Sequence, residues 1–293
     1  MSGSLLLLFV FLSAFLAPPL SRLLRMPVPV GELVIGLLLG HFLAQGVALP
    51  EILGFFSFFG FLLLMFLAGL EVDFNLLRQL ERRHFVFYAL YVVGMFLGAG
   101  LLAGLLGVGL AQALILALVS IGLMVATLRD MGILGRAFAK RVLILGVLGE
   151  VASLFGLTAM EKAAHYQGLL SLLKEVGIIA LFFLLLFLAF RLAGLFLWWY
   201  PEVGRRLVYE EDPSAMGIRL SLALMFAAAV MSGLVGLESV LGAFLAGMIL
   251  SYFLQKKHDL EAKLSAMGYG FLIPIFFIRT GMGIDLSGLD GRL

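Results

Sequence analysis

The chain has 293 residues, 63% of them apolar and 13% charged, with a formal net charge of +2 and no cysteine. With a mean hydropathy of +1.15, so few charges could not cover a water-soluble surface, which excludes a cytosolic enzyme, a disordered protein and a nucleic-acid binder. The absence of thiols excludes disulfides, a thiolate metal site and a redox-active thiol pair.

A helix needs roughly 20 mostly apolar residues to cross a bilayer. Ten such stretches occur in order, at about 4–21, 28–46, 52–71, 84–107, 111–128, 140–160, 170–200, 215–234, 238–255 and 266–284. They are continuously apolar rather than alternating, so they predict an all-α polytopic protein and not a barrel. The first stretch lacks a basic region before it and runs into Pro18-Pro19, so it reads as a retained helix rather than a signal peptide.

Basic residues fall on one set of loops. Arg22 and Arg25, then Arg78, Arg82 and Arg83, then Arg129, Arg136, Lys140 and Arg141 follow odd-numbered stretches. Arg205, Arg206, Lys256, Lys257 and Lys263 continue the pattern. These loops are expected in the cytoplasm of a multi-pass inner or plasma membrane protein, with the N-terminus outside. No G-x-G-x-x-G or G-x-x-x-x-G-K fingerprint opens a helix, which argues against an ATP-driven pump. No H-E-x-x-H or Ser-His-Asp arrangement is present, and a non-enzyme is expected.

An internal repeat is visible. Gly31, Gly36, Leu39 and Phe42 recur as Gly242, Gly247, Leu250 and Phe253, each 211 residues on, and Gly69 and Asp73 recur as Gly281 and Asp285 one residue later. The copies lie seven stretches apart. Seven is odd, so they point in opposite directions through the membrane, as in secondary transporters with inverted repeats. Residues 1–160 then form a first six-helix repeat, 161–214 a linker helix and loop, and 215–293 a partial second repeat of three helices.

Within the apolar run 142–154 stands Glu150. Nine residues from Arg141, at about 1.5 Å each, place it roughly 13 Å deep. A carboxyl there costs several kcal/mol, or about that, unless it is paired or wetted. Carrying a proton or a cation would explain its presence; a structural hydrogen bond to a neighbouring helix is the alternative. Arg279, in the tenth stretch, cannot carry a proton but can serve as a counter-charge to Glu150 or reach towards the outer interface. Glu32 starts the second stretch, as a cap of its helix or as a gate or support. Glu71 and Asp73 end the third stretch, as a gate or as a solvated end. His41 and Arg191 are expected near the interfaces.

Five motifs occur in order: Pro29-Val-Gly-Glu-Leu-Val-Ile-Gly36, Leu63-Leu-Met-Phe-Leu-Ala-Gly-Leu-Glu-Val-Asp73, Leu128-Arg-Asp-Met-Gly-Ile-Leu134, Leu241-Gly-Ala-Phe-Leu-Ala-Gly-Met-Ile-Leu250 and Pro274-Ile-Phe-Phe-Ile-Arg-Thr-Gly281. With them the chain resembles the cation:proton antiporter-2 family, the Kef- and NapA-type exchangers, from about Leu6 to Leu289. The resemblance implies an inverted-repeat antiporter fold, a homodimer, and a mobile core that carries a carboxylate between the two sides. That carboxylate would bind H⁺ and Na⁺ or K⁺ in turn, with no cofactor.

In Val147-Leu-Gly-Glu150-Val the family's second acid falls on Glu150, while Gly149 replaces the first. The family breaks its fifth helix at a hydroxyl-rich stretch. Here that stretch is Val119-Ser120-Ile121, so Ser120 is the implied cation ligand beside Glu150, and Gly122 could ease the unwinding. The family also continues for three more helices, which neither the resemblance nor the repeat finds before Leu293. Two functions are therefore expected from the sequence. One is a cation/proton antiporter, alone or completed by a second chain. The other is a non-transporting accessory or scaffold subunit that retains the fold.

Overall fold

The computed structural model describes residues 3–42, 50–72, 82–164, 215–235, 237–253 and 258–284, with scattered positions between 177 and 199. Among the described residues the ordered elements are all helical. They are α1 (Gly3–Leu23), α2 (Val28–Phe42), α3 (Glu51–Leu70), α4 (Arg82–Leu106), α5 (Leu110–Leu116), α6 (Ile121–Asp130), α7 (Ala137–Ala164), α8 (Met216–Leu234), α9 (Ser239–Phe253), α10 (His258–Met267) and α11 (Ile273–Met282). A π turn, Gly268–Leu272, joins α10 to α11.

Ten crossings were expected from the sequence. Six described segments have the length and apolar composition to cross a membrane, and Val28–Phe42 and Ser239–Tyr252 are shorter apolar helices. The sixth stretch is covered by α7, whereas the seventh, 170–200, lies mostly outside the described residues.

The centre is α3. It has no charged residue after Glu51, and every residue from Leu62 to Leu70 is buried. A helix apolar on all sides must be surrounded, and α9, α11, α6, α8 and α10 all pack on it. By contrast α1 and α4 expose Phe15, Leu23, Leu97, Leu101 and Leu105. In water such a surface would aggregate; in a bilayer it meets lipid.

Lipid tails are as apolar as leucine, so burial alone does not drive these helices together; close contact does. The closest contacts are at glycines. A Cβ added to Gly36 of α2 would strike the carbonyl oxygen of Ile278 in α11, and one added to Gly281 of α11 would strike that of Leu33 in α2. Between α9 and α3, a Cβ on Gly247 would strike the carbonyl oxygen of Phe66, and one on Gly69 would strike that of Phe244.

These two crossings share one residue pattern. An offset of 211 carries Gly36 to Gly247 and Leu33 to Phe244, and an offset of 212 carries Phe66 to Ile278 and Gly69 to Gly281. The pattern extends outwards. Gly31 abuts Ser21 of α1, and Gly242, 211 residues on, abuts Ser232 of α8, itself 211 residues after Ser21. Where α3 meets the end of the π turn, Gly60 lies against Leu272, a pair related to each other by 212.

The π turn has a local cause. Pro274 has no N–H to give to the carbonyl four residues back, and the five residues before α11 open into a wider turn. This turn places Tyr269 over the end of α6.

Candidate functional site

The fifth apolar stretch is broken. The C-cap of α5 is Ala117, and α6 begins at Ile121. A helix that stops inside an apolar region leaves carbonyls at one end and N–H groups at the other without partners. Two side chains from α7 answer both ends. Glu150 accepts a hydrogen bond from the Ile121 N–H at 2.7 Å through Oε2. The Ser153 hydroxyl lies 3.1 Å from the carbonyl oxygen of Ala117 and 2.7 Å from that of Gly149. The two residues are three apart on one helix, so they share a face. The acceptor meets the positive end of α6, and the donor meets the negative end of α5.

Ser120 is the N-cap of α6, and its Oγ accepts from the Leu123 N–H at 3.4 Å. Ser120 thus immediately precedes Ile121, the residue whose N–H meets Glu150. Small residues let α7 come this close. A Cβ on Gly149 would lie 3.0 Å from Val119, and one on Gly146 would lie 2.9 Å from the Met124 sulfur. The place of the family's first acid is therefore filled by contact with Val119.

Other residues named from the sequence are placed differently. Arg279 stands on α11. Its helix packs on α2, α3 and α1, whereas α7 packs on α4, α5 and α6. The Arg279 Nε is buried without a hydrogen-bond partner among the described residues. Glu32 does not cap α2. It is the fifth residue of that helix, past the reach of the first N–H groups, and it is 3% exposed. Asp130, at the end of α6, takes that role, accepting from the Val28 N–H at 3.0 Å. Glu71 is the C-cap of α3, 3.9 Å from Arg129, and Asp73 lies outside the described residues. Among the described residues no three His, Cys, Asp or Glu side chains gather as a metal cluster. Ser120, Ser153 and the Ala117 carbonyl supply oxygens at the same break in the fifth stretch.

A model of the sodium/hydrogen exchanger transmembrane domain matches residues 11–292. The chain belongs to the sodium/hydrogen exchanger family. YjbQ of Bacillus subtilis is 28% identical over 96% of this chain, and the chain spans 47% of it. An Enterococcus hirae protein named as a Na⁺/H⁺ antiporter is 30% identical over 98% of this chain, which spans 75% of that relative. The glutathione-regulated potassium-efflux system protein KefC of Escherichia coli is 28% identical over 94% of this chain, which spans 44% of it. The apolar helices agree with a multi-pass membrane protein of this family.

Sequence reading of this exchanger-family chain missed Ser153. The signal was there: Gly146, Gly149, Glu150 and Ser153 put small and polar residues on one face of an otherwise bulky helix. It also missed the far end of α6. There Arg129 lies with its guanidinium carbon 4.8 Å from the centre of the Tyr269 ring, beside Glu71. The ion pair is part-exposed and adds less than about 1 kcal/mol; the ring contact adds about 0.5–2 kcal/mol. Arg129→Ala is expected to lower stability by about 1–2 kcal/mol in a thermal unfolding assay on detergent-purified protein. Arg129→Lys, which keeps the charge and loses the flat guanidinium, should fall between Ala and wild type. An alanine variant that melts with wild type would show that this cluster holds nothing together.

Proposed function

We propose that this chain exchanges a monovalent cation, Na⁺ or K⁺, for H⁺, with Glu150 as the group that binds each in turn. The observation that carries the reading is the contact of the Glu150 carboxylate with the first N–H of α6, at a break between two half-helices. Broken helices are where transporters of this kind build their sites. Glu150 is also the fourteenth of the 28 residues of α7, which suits a place near the middle of the membrane.

One carboxylate holds one proton or one monovalent cation. The exchange is accordingly one for one, since Gly149 leaves no second acid on that turn. Alternating access is the motion that delivers Glu150 to each side, and the paired glycine crossings support the inverted repeat on which such motion rests. On this reading residues 1–160 and 215–293 are the two repeats, the N-terminus lies outside, and the protein works as a homodimer. Glu71 and Arg129, at the ends of α3 and α6, serve as a support or gate on the cytoplasmic side. Names of relatives point to both cations: the Enterococcus hirae protein to Na⁺ and KefC to potassium.

A second reading, a non-transporting accessory subunit, is favoured by one observation. The break carries a single hydroxyl, Ser120, between Val119 and Ile121. Purified protein in liposomes, with an imposed pH gradient and a pH dye inside, decides between the two. Addition of Na⁺, K⁺ or Li⁺ is expected to collapse the gradient. Folded, inserted protein that leaves the gradient intact with all three cations would overturn exchange and support the second reading.

A further inference from the structure

We propose that Ser153 is a positioning residue that sets the affinity of this exchanger for its cation; the inference rests on the exchange reading above. Ser153 is 3% exposed, and its hydroxyl has two carbonyl oxygens in reach. One, that of Gly149, lies four residues back on the same helix and is already part of the α7 ladder. The other, that of Ala117, is 36 residues away in sequence and belongs to the end of α5. The hydroxyl has one proton. Donated to Gly149, it does nothing that α7 cannot do without it. Donated to Ala117, it ties the end of one half-helix to the helix that bears Glu150.

Only residues 118–120 separate Ala117 from Ile121, whose N–H meets the Glu150 carboxylate. So short a link has little slack. With Ser153 reaching Ala117 at 3.1 Å, the longer of its two contacts, and Glu150 meeting Ile121 at 2.7 Å, α7 touches both ends of the link. Ser120, the hydroxyl on that link, then keeps its distance from Glu150. A cation replaces the Ile121 contact at Glu150 and so releases one of the two ties. Ser153 is the tie that stays, and it holds the link in place while the cation is bound. Affinity falls when this second tie is cut, because the bound state must then order the link by itself.

The test compares wild type, Ser153→Ala, Ser153→Thr and Glu150→Gln in liposomes, with initial rates measured against Na⁺ and K⁺ concentration. Ser153→Ala is expected to raise the apparent KM for the cation about five- to tenfold, the worth of one hydrogen bond, with kcat within about twofold of wild type. Ser153→Thr keeps the hydroxyl and should restore the wild-type KM. A purely structural role would act otherwise: fewer folded molecules lower the maximal rate and leave KM unchanged. Wild-type KM in the alanine variant, with Glu150→Gln inactive, would overturn the inference and leave the exchange reading standing. Wild type without exchange for either cation would overturn both.

Discussion

Glu150→Gln is expected to leave the protein folded and to abolish cation-driven collapse of the pH gradient. The substitution separates two roles of one side chain. As a structural group, Glu150 accepts the Ile121 N–H at 2.7 Å. The glutamine amide has the same shape and offers a carbonyl oxygen to the same donor, so this bond survives. As a carrier, Glu150 must hold a negative charge in one half of the cycle and a proton in the other, and the amide can do neither. Melting of Glu150→Gln should stay near wild type, while exchange falls to the rate of empty liposomes.

Glu150→Ala should lose both roles. It leaves the buried Ile121 N–H without a partner, a cost of about 1–3 kcal/mol, so it is inactive and also less stable. Glu150→Asp keeps the charge but is one methylene short of the N–H, and should retain partial exchange. The outcome that sinks the carrier assignment is exchange by Glu150→Gln within tenfold of wild type, at matched protein incorporation.

The second large effect concerns the fold. Alanine at Gly36, Gly69, Gly247 or Gly281 should each destabilise the protein strongly and to similar extents. At each position the added Cβ meets a backbone carbonyl oxygen of the opposing helix, not the end of a flexible side chain. A side chain can swing away; a helix backbone can yield only if the whole helix shifts. Overpacking of this kind costs about 1–3 kcal/mol, at the upper end where backbone must move. For a chain of this size the drop in melting temperature should be about 4–10 °C.

The controls are built in. Gly94, Gly98 and Gly104 on α4 face open space, and alanine there should be neutral or slightly stabilising. The related pairs, Gly36 with Gly247 and Gly69 with Gly281, should also behave alike, since each member meets the equivalent carbonyl. A Gly247→Ala variant that melts with wild type would show that the α3–α9 crossing is looser than drawn. Unequal losses within a pair would count against equivalence of the two halves.

How far the sequence leads differs from residue to residue. A bilayer tolerates few polar groups, so the apolar runs located the helices and Glu150 stood out among them without any structure. The glycine spacing was equally plain, because a repeat can be counted. What each glycine touches could not be counted. Leu33, Phe66, Phe244 and Ile278 are bulky apolar residues like their neighbours, and it is their backbone oxygens that meet the glycines.

The break at 117–120 is harder still. Composition reads 111–128 as one continuous apolar helix, with no proline to interrupt it. Only the resemblance hinted at a break there. Glu32 shows the same limit: its position at the start of its own helix suggested a cap, but Asp130, 102 residues from Val28, accepts the Val28 N–H instead.

The sequence by itself determined that this chain is a helical membrane protein with a repeated glycine spacing and an acid, Glu150, deep in an apolar helix. Those properties follow from the solvent, which acts on every residue according to its own polarity. The tertiary structure decided where the fifth stretch breaks and what holds it open. The reason is that an unpartnered backbone group can survive in lipid only if another helix supplies the missing hydrogen bond. Here the suppliers, Glu150 and Ser153, lie 29 and 36 residues further along the chain from their partners, a pairing created by packing and written in neither segment alone.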